Sequence, residues 1–251
     1  MLVSAPLPQQ AIILAGGLGT RLRAVVPDRP KPMAPVGGRP FLELLMDYLL
    51  GQGIRHFILS TGWKADCITK HFGDTYRGAA VDYVREGEPL GTGGAPALVL
   101  KRMPELGDRA LLLNGDTWLT FSLPQLVADA ADRLPVTMVL VALAAAGRYG
   151  EVETDGQGRV RRFGPRVSSA EFCTDKNTGP TLINAGCCLV EIDALRRILQ
   201  DFPPRFSLEQ DLFVPLAERG LLRCSIQKEA EFLDIGVPDD YRRFCATHGA
   251  E

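Results

Sequence analysis

The sequence predicts an α/β protein: a doubly wound, mostly parallel sheet followed by a mixed α/β portion. Three observations carry this. Short apolar runs end in glycine or a polar residue, as buried parallel strands do. Segments with apolar residues at helical spacing alternate with those runs. Near Gly147 the alternation gives way to a hairpin pattern and shorter strands.

Each element follows from its own pattern. Residues 11–15 (AIILA) form a strand that runs into glycines. Phe41, Leu44, Leu45, Tyr48 and Leu49 recur at helical spacing within 40–50, and the Gly51–Gly53 stretch stops that helix. Residues 56–61 (HFILST) are the next strand, 65–72 a helix and 80–85 a strand. A helix over 94–103, a strand over 110–114 and a helix over 122–132 follow, the last capped by Ser122. Residues 135–143 read as a long apolar strand.

Beyond it, 151–163 (EVETDGQGRVRRF) reads as a hairpin turning at Asp155-Gly156, and 181–190 as a strand. Helices are expected near 193–200 and 208–219, short strands at 222–227 and 231–233, and a closing helix at 238–247. The chain reads as a single domain over 1–251, with a first half at 11–147 and a second at 148–251.

Composition narrows the function classes. Hydrophobic residues are 46% and charged residues 23%, which excludes extensive disorder. A net charge of −2 argues against a dedicated nucleic-acid binder, though a local cationic pocket can still take a small anion. No apolar run is long enough to span a bilayer, and residues 1–10 read as a short frayed arm rather than a secretory signal. The six cysteines (67, 173, 187, 188, 224 and 245) show neither Cys-x-x-Cys nor zinc spacing. They are expected to be reduced thiols in a cytoplasmic protein, with Cys187 and Cys188 on opposite faces of one strand.

The strongest chemical signal lies between Leu14 and Pro32: L-A-G-G-L-G-T-R-L, a spacer, then P-K-P. A strand ends at Ala15 and the chain turns through Gly16, Gly17 and Gly19, where bare backbone N–H groups can approach a phosphate chain. Thr20 adds a hydroxyl, and Arg21 and Lys31 add two cations able to clamp a polyphosphate. Pro30 and Pro32 restrict the backbone on either side of Lys31. The loop is neither a G-x-G-x-x-G dinucleotide fingerprint nor a P-loop. Asp116 follows the 110–114 strand, on the sheet edge where ligands bind in open α/β folds. Asp234 ends the short run Phe232-Leu233. Alone, the first equally suits a helix cap and the second a turn; together, two carboxylates on one edge can hold one Mg2+. The run Arg159–Arg162 reads as a solvated strand face.

These motifs resemble the sugar-1-phosphate nucleotidyltransferases, also called NDP-sugar pyrophosphorylases. The likeness continues through E-P-L-G-T-G-G (88–94), L-L-N-G-D (112–116), I-N-A-G (183–186) and L-D-I-G-V-P-D-D-Y (233–241). With S-L-E-Q-D (207–211), the last motif is most similar to the branch that guanylylates D-glycero-D-manno-heptose 1-phosphate. The resemblance implies a Rossmann-like fold whose first half binds the nucleotide and whose mixed α/β portion binds the sugar phosphate. It implies condensation of a sugar 1-phosphate, here the manno-heptose, with an NTP, here GTP, releasing pyrophosphate. The cofactor it implies is Mg2+ on Asp116 and Asp234, with Arg21 and Lys31 catalytic. Nucleotide contacts fall to Leu14, Ala15, Gly16, Gly17, Gly19, Thr20, Glu88, Gly91 and Thr92. Sugar-phosphate contacts fall to Gly150, Lys176, Asn184, Arg205 and Glu209.

This chain has Asp175-Lys176-Asn177 where many members have Glu-Lys-Pro, and Lys176 and Arg205 equally suit solvated surface cations. Other pairings of base and sugar (mannose guanylyl transfer, or uridylyl, thymidylyl and cytidylyl transfer) stay open. So does a non-catalytic nucleotide-sugar sensor. No nucleic-acid or membrane partner is expected. No hexapeptide repeat is present, so one activity is expected, and a homodimer is simply the commonest assembly.

Overall fold

The structure, a computed structural model, describes residues 6–144, 147–164 and 180–249. In chain order the strands are β1 (Gln10–Ala15), β2 (Pro35–Val36), β3 (Arg39–Pro40), β4 (His56–Thr61), β5 (Thr75–Tyr76), β6 (Ala79–Arg85) and β7 (Arg109–Asn114). They continue with β8 (Thr117–Leu119), β9 (Val136–Leu143), β10 (Val152–Thr154), β11 (Val160–Phe163), β12 (Thr181–Glu191), β13 (Leu222–Ile226) and β14 (Phe232–Asp234). The helices are α1 (Phe41–Gly51), α2 (Ala65–Phe72), α3 (Gly91–Arg102), α4 (Leu123–Asp129), α5 (Ile192–Leu199), α6 (Val214–Glu218) and α7 (Pro238–His248).

Eight strands form one sheet in the order β13-β9-β12-β7-β1-β4-β6-β5. Strand β1 pairs in parallel with β4 and β7, β4 with β6, and β9 with β13. Strand β12 runs antiparallel between β7 and β9, and β5 antiparallel to β6. The expected α/β sheet is therefore present and mostly parallel, with β12 and β13 of the second half built into it.

Alternate residues of the strands feed two cores, one on each face. Ala11, Ile13 and Ala15 of β1 face a core shared with Phe41 and Leu45 of α1, Leu126 of α4 and Phe244 of α7. Ile12 faces the other core, shared with Val99 of α3 and Leu195 of α5. Cys187 and Cys188 divide in the same way, one to each core, as expected for strand neighbours. Burying one such leucine or phenylalanine contributes roughly 1.5–3 kcal/mol. Among the described residues the cysteines are free thiols; Cys173 lies outside them. Among the described residues no helix is long and apolar enough to cross a membrane.

Several boundaries differ from the sequence expectation. Helix α3 begins at Gly91 rather than 94, because the glycines themselves make its first turn. Helix α4 has the expected cap, Ser122 Oγ accepting from Gln125 N at 3.3 Å, but stops at Asp129. The 208–219 helix splits into a π-helical stretch (Leu208–Phe213) and α6. The hairpin forms between β10 and β11, with Asp155 Oδ1 accepting from Gln157 N (2.8 Å) and Arg159 N (3.0 Å). Arg159 pairs with Asp132 and Arg161 with Asp155, in keeping with a solvated face. Within the expected N-terminal arm, Gln10 belongs to β1 and the Gln9 carbonyl accepts from the Arg55 and His56 amides. Residues 1–5 lie outside the described residues.

Candidate active site

The parallel pairing of β1 with β7 runs to Leu14 and Asn114, and one more hydrogen bond follows just past β7. Gly115 N donates to Leu14 O at 2.9 Å. A Cβ on Gly115 would lie 2.7 Å from that oxygen, so only glycine allows the approach. This crossing sets Asp116 beside the glycine loop. Gly19, at φ +59°, turns the loop back so that its Cα faces Lys31.

Asp234 reaches the same place by a second route. Strand β14 pairs antiparallel with β8, with Asp234 opposite Thr117, and Ile235 N donates to Asp116 O at 3.0 Å. The Lys31 ammonium donates to the Asp116 carboxylate and stands 3.8 Å from Asp234 Oδ1. Gly236 N donates to Asp234 Oδ1 at 2.6 Å. A Cβ on Gly236 would fall 2.8 Å from Lys31 Nζ, so this glycine leaves room for the ammonium. Arg148 backs Asp234 from the far side, with Nη2 3.1 Å from its carbonyl and 3.4 Å from Oδ2, and is itself held by Asp240 at 2.6 Å.

Two cavities adjoin this charged cluster. One, of about 210 Å3, is lined by Leu14, Ala15, Gly17, Gly19, Thr20, Arg21, Lys31 and Asp116. The other, of about 400 Å3, is lined by Thr92, Gly150, Asn184, Glu209 and Asp234 among the residues expected from sequence. Asn114, Tyr149, Ser207 and Gln210 also line it, and single-residue reasoning gave none of them a role. Lys31 and Asp116 thus belong to one cavity and Asp234 to the other.

Some expected residues lie elsewhere. Thr92, grouped with the nucleotide on sequence, donates its hydroxyl to Glu209 Oε2 at 2.7 Å and accepts from Leu208 N at 3.0 Å. Ser207 donates to the same Glu209 oxygen at 2.9 Å. The glycines around Thr92 serve close packing: Gly93 N donates to Phe206 O, and a Cβ on Gly94 would lie 2.1 Å from Pro204 O. Glu88, Gly91 and Arg205 are exposed and outside both linings, so the structure does not bring Arg205 to the larger cavity. Lys176 lies outside the described residues. Asn184 Oδ1 accepts from Gly186 N at 3.0 Å, which turns the β12 backbone toward Asn114.

Gly16 exposes a residue that the sequence did not single out. A Cβ there would lie 2.3 Å from Glu86 Oε1. Glu86 sits just beyond β6, accepting from Leu90 N (3.1 Å) and Ser60 Oγ (3.3 Å). Burial pushes its carboxyl above the ordinary value, against the lowering effect of those two bonds. Its carboxylate therefore stands between the two glycine segments. No spacing rule marks Glu86, since only the fold brings it against Gly16.

The donor set suits a hard divalent cation. One carboxylate from the turn between β7 and β8 and one from the end of β14 converge on one positive charge, and Mg2+ takes one or two carboxylates plus substrate phosphates. Among the described residues no group of three or more His, Cys, Asp or Glu side chains is placed to hold a metal ion.

Comparison with known proteins identifies the family. The nucleotidyl transferase family model matches residues 10–248. A D-glycero-alpha-D-manno-heptose 1-phosphate guanylyltransferase of Campylobacter jejuni is 38% identical, over 94% of this chain and 98% of its own length. A mannose-1-phosphate guanylyltransferase of Mycobacterium tuberculosis is 36% identical, over 93% of this chain and 62% of its own. The crystal structure of HddC from Yersinia pseudotuberculosis superposes with a TM-score of 0.78 at 31% identity, covering 95% of this chain and 99% of that one. A second structure of HddC, complexed with GMP-PN, gives 0.76 at 32% identity. With its glycine loop, paired aspartates and Lys31 so arranged, the chain belongs to the nucleotidyl transferase family.

Proposed function

We propose that this chain joins D-glycero-α-D-manno-heptose 1-phosphate to GTP, giving the GDP-sugar and pyrophosphate. The observation that carries the reading is the meeting of two cavities at Lys31, Asp116 and Asp234. One cavity has the glycine loop and Arg21, suited to a polyphosphate. The other has hydroxyl, amide and carboxylate groups, suited to a polyol.

A sugar-phosphate oxygen attacks the α-phosphorus; the bond to the bridging oxygen breaks and pyrophosphate leaves with its electron pair. The attacking phosphate is already ionised at neutral pH, so no general base is needed. Such chemistry rests on positioning and charge neutralisation. Arg21 binds the β and γ phosphates and stabilises the departing pyrophosphate. Lys31 neutralises the α-phosphate region between the cavities. When bound, Mg2+ on Asp116 and Asp234 supplies further charge neutralisation at the reacting phosphates. Glu209 and Asn184 hydrogen-bond to sugar hydroxyls, Gly150 leaves room beside them, and Lys176 is the cation proposed for the sugar phosphate.

Glu86, whose carboxylate lies against Gly16 of the glycine loop, is the residue we propose for reading the base. Guanine presents N1–H and N2–H donors side by side, and a carboxylate accepts both. Adenine, cytosine and uracil offer no such pair of donors. The 38% identity to a heptose 1-phosphate guanylyltransferase supports guanine and heptose together. A second reading, mannose 1-phosphate as acceptor, is favoured by the 36% identity to the mannose enzyme.

Pyrophosphate release with Mg2+, four NTPs and a panel of sugar 1-phosphates tests these readings. The expected result is fastest release with GTP and the heptose phosphate. Faster release with mannose 1-phosphate selects the second reading. No release with any pair, alongside tight binding of a nucleotide sugar, makes the protein a sensor and overturns both.

A further inference from the structure

The carboxylate pair already carries two internal cations, and they are held differently. Arg148 is fixed: its Nη2 contacts the Asp234 carbonyl, the Asp234 carboxylate and Asp240, and its guanidinium lies 5.0 Å from the centre of the Tyr149 ring. Lys31 has a single tether. Its ammonium hydrogen-bonds to Asp116 and only approaches Asp234 Oδ1, at 3.8 Å. The rest of its side chain is a flexible four-carbon stem leaving a short 3-10 turn (Lys31–Met33). Glycine at 236 keeps clear the space that the ammonium fills.

An ammonium between two carboxylates occupies the place that a shared divalent ion would take. The two cations cannot both be there, since like charges at contact distance in a partly buried site repel strongly. A triphosphate entering the smaller cavity offers Lys31 other anionic partners, because Lys31 and Asp116 line that cavity together. We propose that Lys31 is an exchangeable internal cation: it holds Asp116 and Asp234 together before the metal arrives, and releases them only when the triphosphate draws it away. The proposal rests on the reading of Asp116 and Asp234 as the metal pair. It gives Lys31 a positioning role beside its contact with the α-phosphate, and it makes metal binding weak until nucleotide is present.

The consequence is unusual for a catalytic lysine, because removing it should tighten metal binding. Mn2+ binding to the nucleotide-free protein is measured from the loss of the free-ion EPR signal. The wild type is compared with Lys31→Met, Lys31→Gln and the double variant Lys31→Met with Asp116→Asn. Near-ultraviolet circular dichroism confirms that each is folded, and either single variant suffices if the other is not. Both neutral variants are expected to bind one Mn2+ at least about ten-fold tighter than wild type, and the double variant to lose that gain. Unchanged or weaker binding in the folded single variants overturns the exchange. If wild type then still takes up Mn2+ with GTP, and Asp116→Asn does not, the metal pair stands and only the exchange falls. If no variant binds Mn2+ with or without GTP, the metal pair and the exchange fall together.

Discussion

Gly115 passes its amide to the carbonyl of Leu14, at 2.9 Å, and so ties the end of β7 to the start of the glycine loop. The bond fixes how far Asp116 stands from the loop that carries Arg21. Substituting Gly115→Ala places a methyl group 2.7 Å from the Leu14 oxygen and 3.2 Å from the Ile13 side chain. Overpacking of this kind costs roughly 1–3 kcal/mol, and the displaced Asp116 should lower turnover further. Thermal midpoint and kcat should both fall; a variant with wild-type values for both contradicts this account of the crossing.

Much of the fold was legible because its signals are local. Strand β4 and helix α2 fall at the expected residues, since apolar runs and helical spacing are properties of short windows. Strand β8 has three residues, Thr117–Leu119, too few to show a period, yet its pairing with β14 delivers Asp234. The insertion of β12 between β7 and β9 depends on partners far apart in the chain, and no local pattern encodes it. The site divides in the same way. Arg21, Lys31 and Asp116 belong to dense motifs. Glu86 and Arg148 stand alone in sequence and acquire meaning only from Gly16 and Asp234.

Arg21 is exposed and makes no hydrogen bond or ion pair among the described residues, so the fold does not depend on it. Arg21→Ala should leave the thermal midpoint unchanged while lowering kcat roughly 10²- to 10³-fold, the usual loss when one stabiliser of transition-state charge is removed. Steady-state pyrophosphate release beside a melting curve checks both halves. A lowered midpoint with intact turnover would give Arg21 a structural role instead.

Glu86 ties base readout to pH. Burial raises its folded value above the ordinary 4.5, so folding favours the protonated form. That stabilising contribution is complete below the ordinary value and is lost as pH rises through the raised one. Glu86→Gln removes this loss, so the variant's midpoint should fall less than wild type's as pH climbs from 4.5. GTP binding runs the other way, because only the carboxylate accepts both guanine donors. Wild-type GTP affinity should weaken on acidification through the raised value, and the variant should lose preference for GTP over ATP. Calorimetric titration with both nucleotides at several pH values reads this. An unchanged GTP preference in the variant removes Glu86 from base readout.

Asp116, from the turn after β7, and Asp234, from the end of β14, share Lys31 and act as one unit between the two cavities. A double-mutant cycle on kcat separates joint from independent action, using Asp116→Asn, Asp234→Asn and the double variant with GTP, heptose phosphate and Mg2+. Groups that act together are strongly non-additive, so each single change should cost roughly 10²-fold or more and the double little beyond that. Losses that multiply in the double variant would contradict the shared unit, because each aspartate would then be acting alone.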